Sequence, residues 1–275
     1  MIEIFDNIRK LYRFNTPCNA LADHIEFFSE SSLEAMDRYI GTDQFTVTLF
    51  PSYTPTIWLN LGSSYLLKNG NAWQAVDERT DILLLRSEIV ERRNLPTDNI
   101  FTVKFNPGGF ETIFGISQTS IGSEIVLVEN IIPAAFIKKL KGLGCFEDRK
   151  ALFENFFLQK LEKNNKRDGF YLQCIKETVH AFAGVGLESA ISELAKKLYI
   201  SEKTLYRCFT KVVGTPPKNF QAITRARTAL TNYVANPAHF YPCDHGYYDM
   251  SHFYKSVVKF TGQKLSQYYT AIQQR

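Results

Sequence analysis

The chain has 275 residues, 45% hydrophobic and 22% charged, with 32 basic against 28 acidic side chains and a formal net charge of +4. This composition supports a globular chain of one large domain or two ordinary ones. No apolar run approaches the ~18 residues of a membrane span, and the N-terminus lacks the apolar stretch of a secretory leader, so a membrane-spanning or exported chain is not expected. Five cysteines, Cys18, Cys145, Cys174, Cys208 and Cys243, are odd in number and widely spread. They suit free thiols in a reducing cytoplasm, not a disulfide framework. The charge is unevenly placed. Residues 1–165 hold 17 basic and 21 acidic side chains, net −4, whereas residues 166–275 hold 15 and 7, net +8. A strongly basic half raises the expectation of an anionic polymer as partner.

In chain order, residues 17–29 read as a helix, with Leu21, Ile25 and Phe28 at helical spacing. Residues 44–50 (QFTVTLF), 56–61 (TIWLNL), 64–67, 81–85 (DILLL) and 99–105 (NIFTVKF) read as strands. Gly62, Pro51, Pro55, Gly70, Pro96 and residues 107–109 punctuate them as turns. From Phe110 the apolar period changes to 3.6, with a short helix at Phe110, Ile113 and Phe114 and longer ones over 134–141 and 146–161. Strands first and helices afterwards predict separate domains: a β-rich α+β N-terminal domain over 1–165 with trailing helices, and an all-α domain over 166–275.

The basic half carries the most specific pattern. Ile191, Leu194, Ala195 and Leu198 share one face of a first helix, and a break at residues 199–201 follows. Ser201 is a good N-cap for a second helix, in which Leu205, Cys208, Phe209 and Val212 form the buried stripe and Gly214 ends the run. The opposite face shows Lys203, Tyr206, Arg207, Thr210 and Lys211. This is the layout of a helix-turn-helix with a polar, basic recognition helix. A connecting helix over 216–233 leads to a second copy: Gly246 as turn, Asp249 as cap, Phe253, Val257 and Phe260 as stripe, Gly262 as stop. Met250, Ser251, Tyr254, Lys255 and Lys259 lie on its other faces. The fold class expected is therefore multidomain, with two helix-turn-helix units in the C-terminal domain.

The last ~100 residues resemble the DNA-binding domain of the AraC/XylS family of bacterial transcription regulators. The resemblance rests on Glu193, Leu194, Ala195, Ser201, Thr204, Leu205, Arg207, Phe209, Gly214, Pro217, Arg225 and Ala229 in the first half. In the second half it rests on Gly246, Tyr247, Asp249, Ser251, His252, Phe253, Lys259, Gly262 and Tyr268. It implies a cytoplasmic regulator, an activator by expectation, that binds double-stranded promoter DNA and works with RNA polymerase, in some cases as a homodimer. It implies base contacts at Lys203, Tyr206 and Arg207 and at Met250, Ser251, Tyr254 and Lys255. Arg207 is the foremost reader, because a guanidinium pairs bidentately with guanine O6 and N7. Lys218, Lys259 and Lys264 read as phosphate contacts, which position without specifying. Arg225 suits packing or an ion pair as well as DNA. The sequence departs from the family at Tyr241 and Pro242, where an Ile-Ala pair is usual, so the helix there should start late and be short.

The N-terminal half more weakly resembles a sensor-like domain found fused to such modules, through Phe50 and Pro51, Asn60 to Gly62, and Val103 to Gly109. Trp58, Phe101, Phe105 and Phe110, with Trp73 and Phe114, are candidates for an apolar effector pocket and equally for plain core. The alternatives are a dimerisation-only role or a thiol-based alkyl-transfer enzyme at Cys18. The latter is disfavoured because Asn19 and Ala20, not a histidine, follow the cysteine. His239, Cys243, His245 and His252 crowd together without the spacing of a zinc site, and residues 107–109 form either an anion nest or a turn. No catalytic motif, metal or cofactor is expected.

Overall fold

The computed structural model describes residues 11–39, 44–69, 72–122, 124–164, 169–183 and 191–266. Tyr268, the boundary stretch 165–168 and residues 189–190, expected to open the first helix of the first unit, lie outside them. Among the described residues, the N-terminal half has ten strands in two antiparallel sheets. One sheet has the order β1-β2-β9-β4-β7-β10, with β1 Tyr12–Asn15, β2 Ile25–Ser31, β4 Pro55–Asn60, β7 Ile82–Leu85, β9 Ile100–Phe105 and β10 Val126–Leu127. The other has the order β3-β8-β5-β6, with β3 Phe45–Leu49, β5 Tyr65–Asn69, β6 Ala72–Val76 and β8 Val90–Asn94. Helix α1, Leu33–Tyr39, joins β2 to β3.

Side chains alternate across the larger sheet as a pleat requires. On β4, Trp58 faces a cluster shared with the smaller sheet (Val47, Leu67, Val90), while Ile57 and Leu59 face the opposite side. That opposite side is covered by α2 Gly109–Phe114, α3 Ala134–Lys141 and α4 Phe146–Asn164. Central strands β4 and β9 are buried on both faces. Both also carry buried polar residues, Thr56 and Asn60 on β4 and Thr102 and Lys104 on β9.

Residues 17–29 are not a helix. A 3-10 turn at Asn19–Leu21 precedes strand β2, which pairs with β1 and β9. The helical spacing has a local cause. The β2–β9 register shifts between Ile25 and Phe27, so Ile25 and Phe28, three apart, point into the same cluster. A β-bulge thus imitated a helical repeat. Strands β1, β6 and β8 were also not legible as strands, because β6 is an exposed edge and β8 (VERRN) carries charge.

The helical half comprises α5 Gly169–Ala183, α6 Ile191–Lys197, α7 Glu202–Val213, α8 Pro217–Ala235 and α9 Met250–Thr261. Ile175, Phe182, Leu194, Leu205, Phe209 and Phe220 form the core of the first unit. Ile223, Ala229, Leu230, Tyr247, Phe253 and Val257 form that of the second. Helix α8 bridges them by giving Phe220 to one and Ile223 to the other. In place of a regular first helix, the second unit has two 3-10 segments, Pro237–His239 and Pro242–His245. Pro242 has no N–H to donate to a carbonyl one turn earlier, so no regular helix runs through it from Pro237.

Candidate nucleic-acid interface

The two outer helices are built alike. In α7 the Ser201 hydroxyl accepts the Thr204 amide at 3.1 Å, and in α9 the Asp249 carboxylate accepts the His252 amide at 2.7 Å. Each cap satisfies an amide that the first turn leaves open. Each helix ends on a glycine of positive φ: Gly214 donates to Thr210 O and Gly262 to Val258 O, both at 2.9 Å. One face of each helix is fully buried and the other is open to solvent.

On α7, Lys203 and Arg207 are exposed one turn apart, and Tyr206 is half-buried beside them. Thr210 and Lys211 continue the open face, with the Lys211 ammonium 5.4 Å from the Tyr171 ring of α5. On α9, Met250, Ser251, Tyr254 and Lys255 are exposed together. Lys218 at the start of α8, Lys259 and Lys264 are exposed around them. Arg225 points elsewhere. Its guanidinium donates to Gly246 O at 3.2 Å and lies 4.9 Å over the Tyr247 ring, clamping α8 to the turn before α9. That geometry selects the packing role over DNA contact. The imidazoles of the histidine-cysteine group are used structurally. His245 stacks on Phe240, His239 meets Asn236, and His252 Nδ1 faces the Tyr248 amide at 3.4 Å.

The aromatic residues considered for an effector pocket are divided between two clusters. Trp58 lies between the sheets, whereas Phe101, Phe105 and Phe110 pack on the far side against α4. Phe105 meets Phe110 edge to face at 5.4 Å, and Phe101 stacks on Phe153 at 5.6 Å. These rings are part of the hydrophobic core. Residues 107–109 form a turn whose Gly108 amide donates to Gln118 Oε1 at 3.1 Å, so that donor is taken. Cys18 is half-buried against the core, and its amide donates to Glu154 at 2.7 Å.

Contacts between the two halves were not visible in the sequence. Gln118, fully buried, donates to Tyr53 O at 2.9 Å and to Val213 O at 3.1 Å, so it caps the last turn of α7 from the N-terminal half. Phe50 enters the core of the second unit, and Tyr53 packs against both units. Glu26 of β2 pairs with Lys104 of β9 at 3.1 Å and with Arg227 of α8 at 3.4 Å. Burial pushes the Glu26 carboxyl up, but surrounding positive charge, Lys104 foremost and then Arg227, holds the pKa at about 2. Asp23 meets Lys176 of α5 at 2.6 Å, and that hydrogen bond lowers its pKa. Between these contacts lies a cleft of about 790 Å3, lined from one side by His24, Gly108 and Glu111 and from the other by Leu172, Lys176 and Lys211. From the N-terminal half these contacts are made by single residues in a 3-10 turn (Gln118), a strand (Glu26) and loops (Asp23, Phe50, Tyr53), which no periodicity marks.

Residues 194–271 match a family described as a helix-turn-helix domain. No curated protein matches the chain. Similar solved structures include ToxT from Vibrio cholerae, at 13% identity, 94% of this chain and 98% of that one, with a TM-score of 0.47. They also include ToxT from Vibrio cholerae O395 bound to (E)-4-(8-methylnaphthalen-1-yl)but-3-enoic acid, at 13%, 96% and 100%, TM-score 0.48. The AraC-like transcriptional activator CuxR is similar at 13%, 81% and 87%, TM-score 0.29. With two capped, open-faced helices over the matched residues, residues 194–271 of this chain form a helix-turn-helix domain.

Proposed function

We propose that the chain is a sequence-specific activator. Residues 166–275 grip promoter DNA with α7 and α9, and residues 1–165 serve as a sensing or pairing domain. The observation that carries this reading is the matched pair of capped helices whose outer faces, Lys203 and Arg207 on one and Met250, Ser251, Tyr254 and Lys255 on the other, stand in solvent. Two such helices on one chain would enter successive major grooves about 34 Å apart. The charge split supports the assignment: the net +8 lies entirely on the DNA-binding half, and the net −4 half would be repelled by phosphates. Action in the cytoplasm, an RNA polymerase contact and a homodimer extend from the family resemblance. The test is binding-site selection from random duplex DNA followed by fluorescence anisotropy. Arg207→Ala should relax the selected sequence, whereas Lys259→Ala should weaken all sequences alike. If both lose affinity uniformly, the assignment of readers is wrong.

The cleft of about 790 Å3 supports response to a small-molecule effector, because it is bounded by both domains and by Lys211 of a recognition helix. A ligand there would bear on DNA binding without touching DNA. Thermal-shift screening of the full chain against metabolites and lipids tests this, and a clean negative result favours the pairing role alone.

A further inference from the structure

The outer faces of the two recognition helices differ in chemistry. Helix α7 offers a guanidinium and an ammonium in its first two turns, Arg207 and Lys203, both exposed. Helix α9 offers Met250 and Tyr254, one turn apart, at 43% and 37% exposure, with Ser251 and Lys255 beside them. Tyr248, just before the cap, is 88% exposed. None of these is needed for the core, because Phe253, Val257 and Phe260 already fill the buried stripe. From Tyr247 to Lys259 the sequence contains no Arg, Asn or Gln, so this segment lacks both the guanidinium fork and the carboxamide that pairs with adenine, and its lysines are what remains to meet a guanine edge. His252 is turned back onto its own cap, with its ring edge-on to Tyr247 at 5.1 Å and Nδ1 toward the Tyr248 amide. Lys255 brings a point charge one turn further along.

Large apolar side chains held in water beside Lys255 and Lys259, on a helix continuous with a DNA-binding surface, call for an apolar feature of the duplex. In the major groove that feature is the thymine 5-methyl group. We infer that the two units read different base chemistry: α7 reads guanine through Arg207, and α9 reads thymine methyls through Met250 and Tyr254. The operator is then asymmetric, with a guanine-bearing half under α7 and a thymine-bearing half under α9. Ser251, whose hydroxyl donates or accepts, tolerates either strand order of an A·T pair. This inference rests on the DNA-binding reading above and adds the chemical class of the second half-site.

The experiment uses the full chain and duplexes selected from a random pool. Deoxyuridine replaces thymidine, and 7-deazaguanine replaces guanine, in one half-site at a time. Anisotropy then gives affinity at fixed salt. The half whose 7-deazaguanine effect disappears in Arg207→Ala lies under α7. In the other half, each contacted thymine should lose about fourfold affinity on conversion to uracil, the worth of one buried methyl. Met250→Ala with Tyr254→Ala, both exposed positions, should bind thymine and uracil versions equally. Uracil tolerated in both halves, with sequence preference intact, overturns the inference and leaves DNA reading standing. Selection that yields no preferred sequence overturns both.

Discussion

Replacing Glu26 by Gln should destabilise the contact between the two halves by an amount the structure sets. The carboxylate stands between the Lys104 ammonium at 3.1 Å and the Arg227 guanidinium at 3.4 Å, the first side chain 0% exposed and the second 9%. Glutamine keeps the shape and removes the negative charge that both buried cations meet. Breaking a buried ion pair in this way costs about 3–5 kcal/mol. Proton linkage gives a similar figure. A carboxyl held at about 2 in the folded chain, against 4.5 for an ordinary glutamate, contributes ~3 kcal/mol at neutral pH. Because the folded pKa is depressed, that contribution is full above about pH 4.5 and is lost as the pH falls toward about 2. Urea denaturation of wild type and Glu26→Gln, followed by tryptophan fluorescence near neutral pH and near pH 3, measures both. The wild type should be more stable by ~3 kcal/mol at neutral pH, with more than half of that gap closed at about pH 3. Equal stability at neutral pH, or a gap that does not narrow in acid, refutes the reasoning.

Gln118→Ala removes three hydrogen bonds that join residues 53, 108 and 213 and should cost about 2–3 kcal/mol in urea denaturation. A change under about 0.5 kcal/mol would show that Gln118 does not hold α7. Gly109→Ala would place a methyl 2.0 Å from the His24 carbonyl oxygen. The backbones must then separate, so a loss of at least about 1–3 kcal/mol or failure to fold is expected, and a neutral variant would contradict the close approach. Ser201→Ala and Asp249→Ala should each cost about 1 kcal/mol and raise amide exchange in the first turn of α7 or α9 alone. Exchange spread through the domain would argue against a capping role. In a native thiol titration Cys145 and Cys243, both exposed, should react fast. Cys174 and Cys208, whose thiol pKa values burial pushes up, should react only on unfolding.

The helical half was legible because its signals are local. Ser201, Asp249, Gly214 and Gly262 mark helix ends through their own hydrogen bonds or φ, and the stripes of α7 and α9 follow directly from spacing. Even the defect of the second unit could be read, since Pro242 cannot sit inside a regular helix and the segment is in fact a 3-10 turn. The sheets were harder. Strands 44–50 and 99–105 declare themselves by β-branched and aromatic residues, but the bulge in β2 gave a false helical period. The exposed edge β6 has no buried face to announce it. Arg225 carried two readings until its bonds to the Gly246 turn selected one. What sequence could not reach is tertiary. Gln118, Tyr53 and the Glu26–Arg227 pair join positions up to 201 residues apart, and no pattern in either segment requires the other.

The most direct test of the account is the salt dependence of DNA binding by the full chain. If the basic half neutralises roughly six phosphates, log K should fall against log salt with a slope of about −5. Lys259→Ala should make that slope shallower by about one. An affinity that does not change with salt, or no binding to duplex DNA at any salt, would contradict the central claim that α7 and α9 form a nucleic-acid interface.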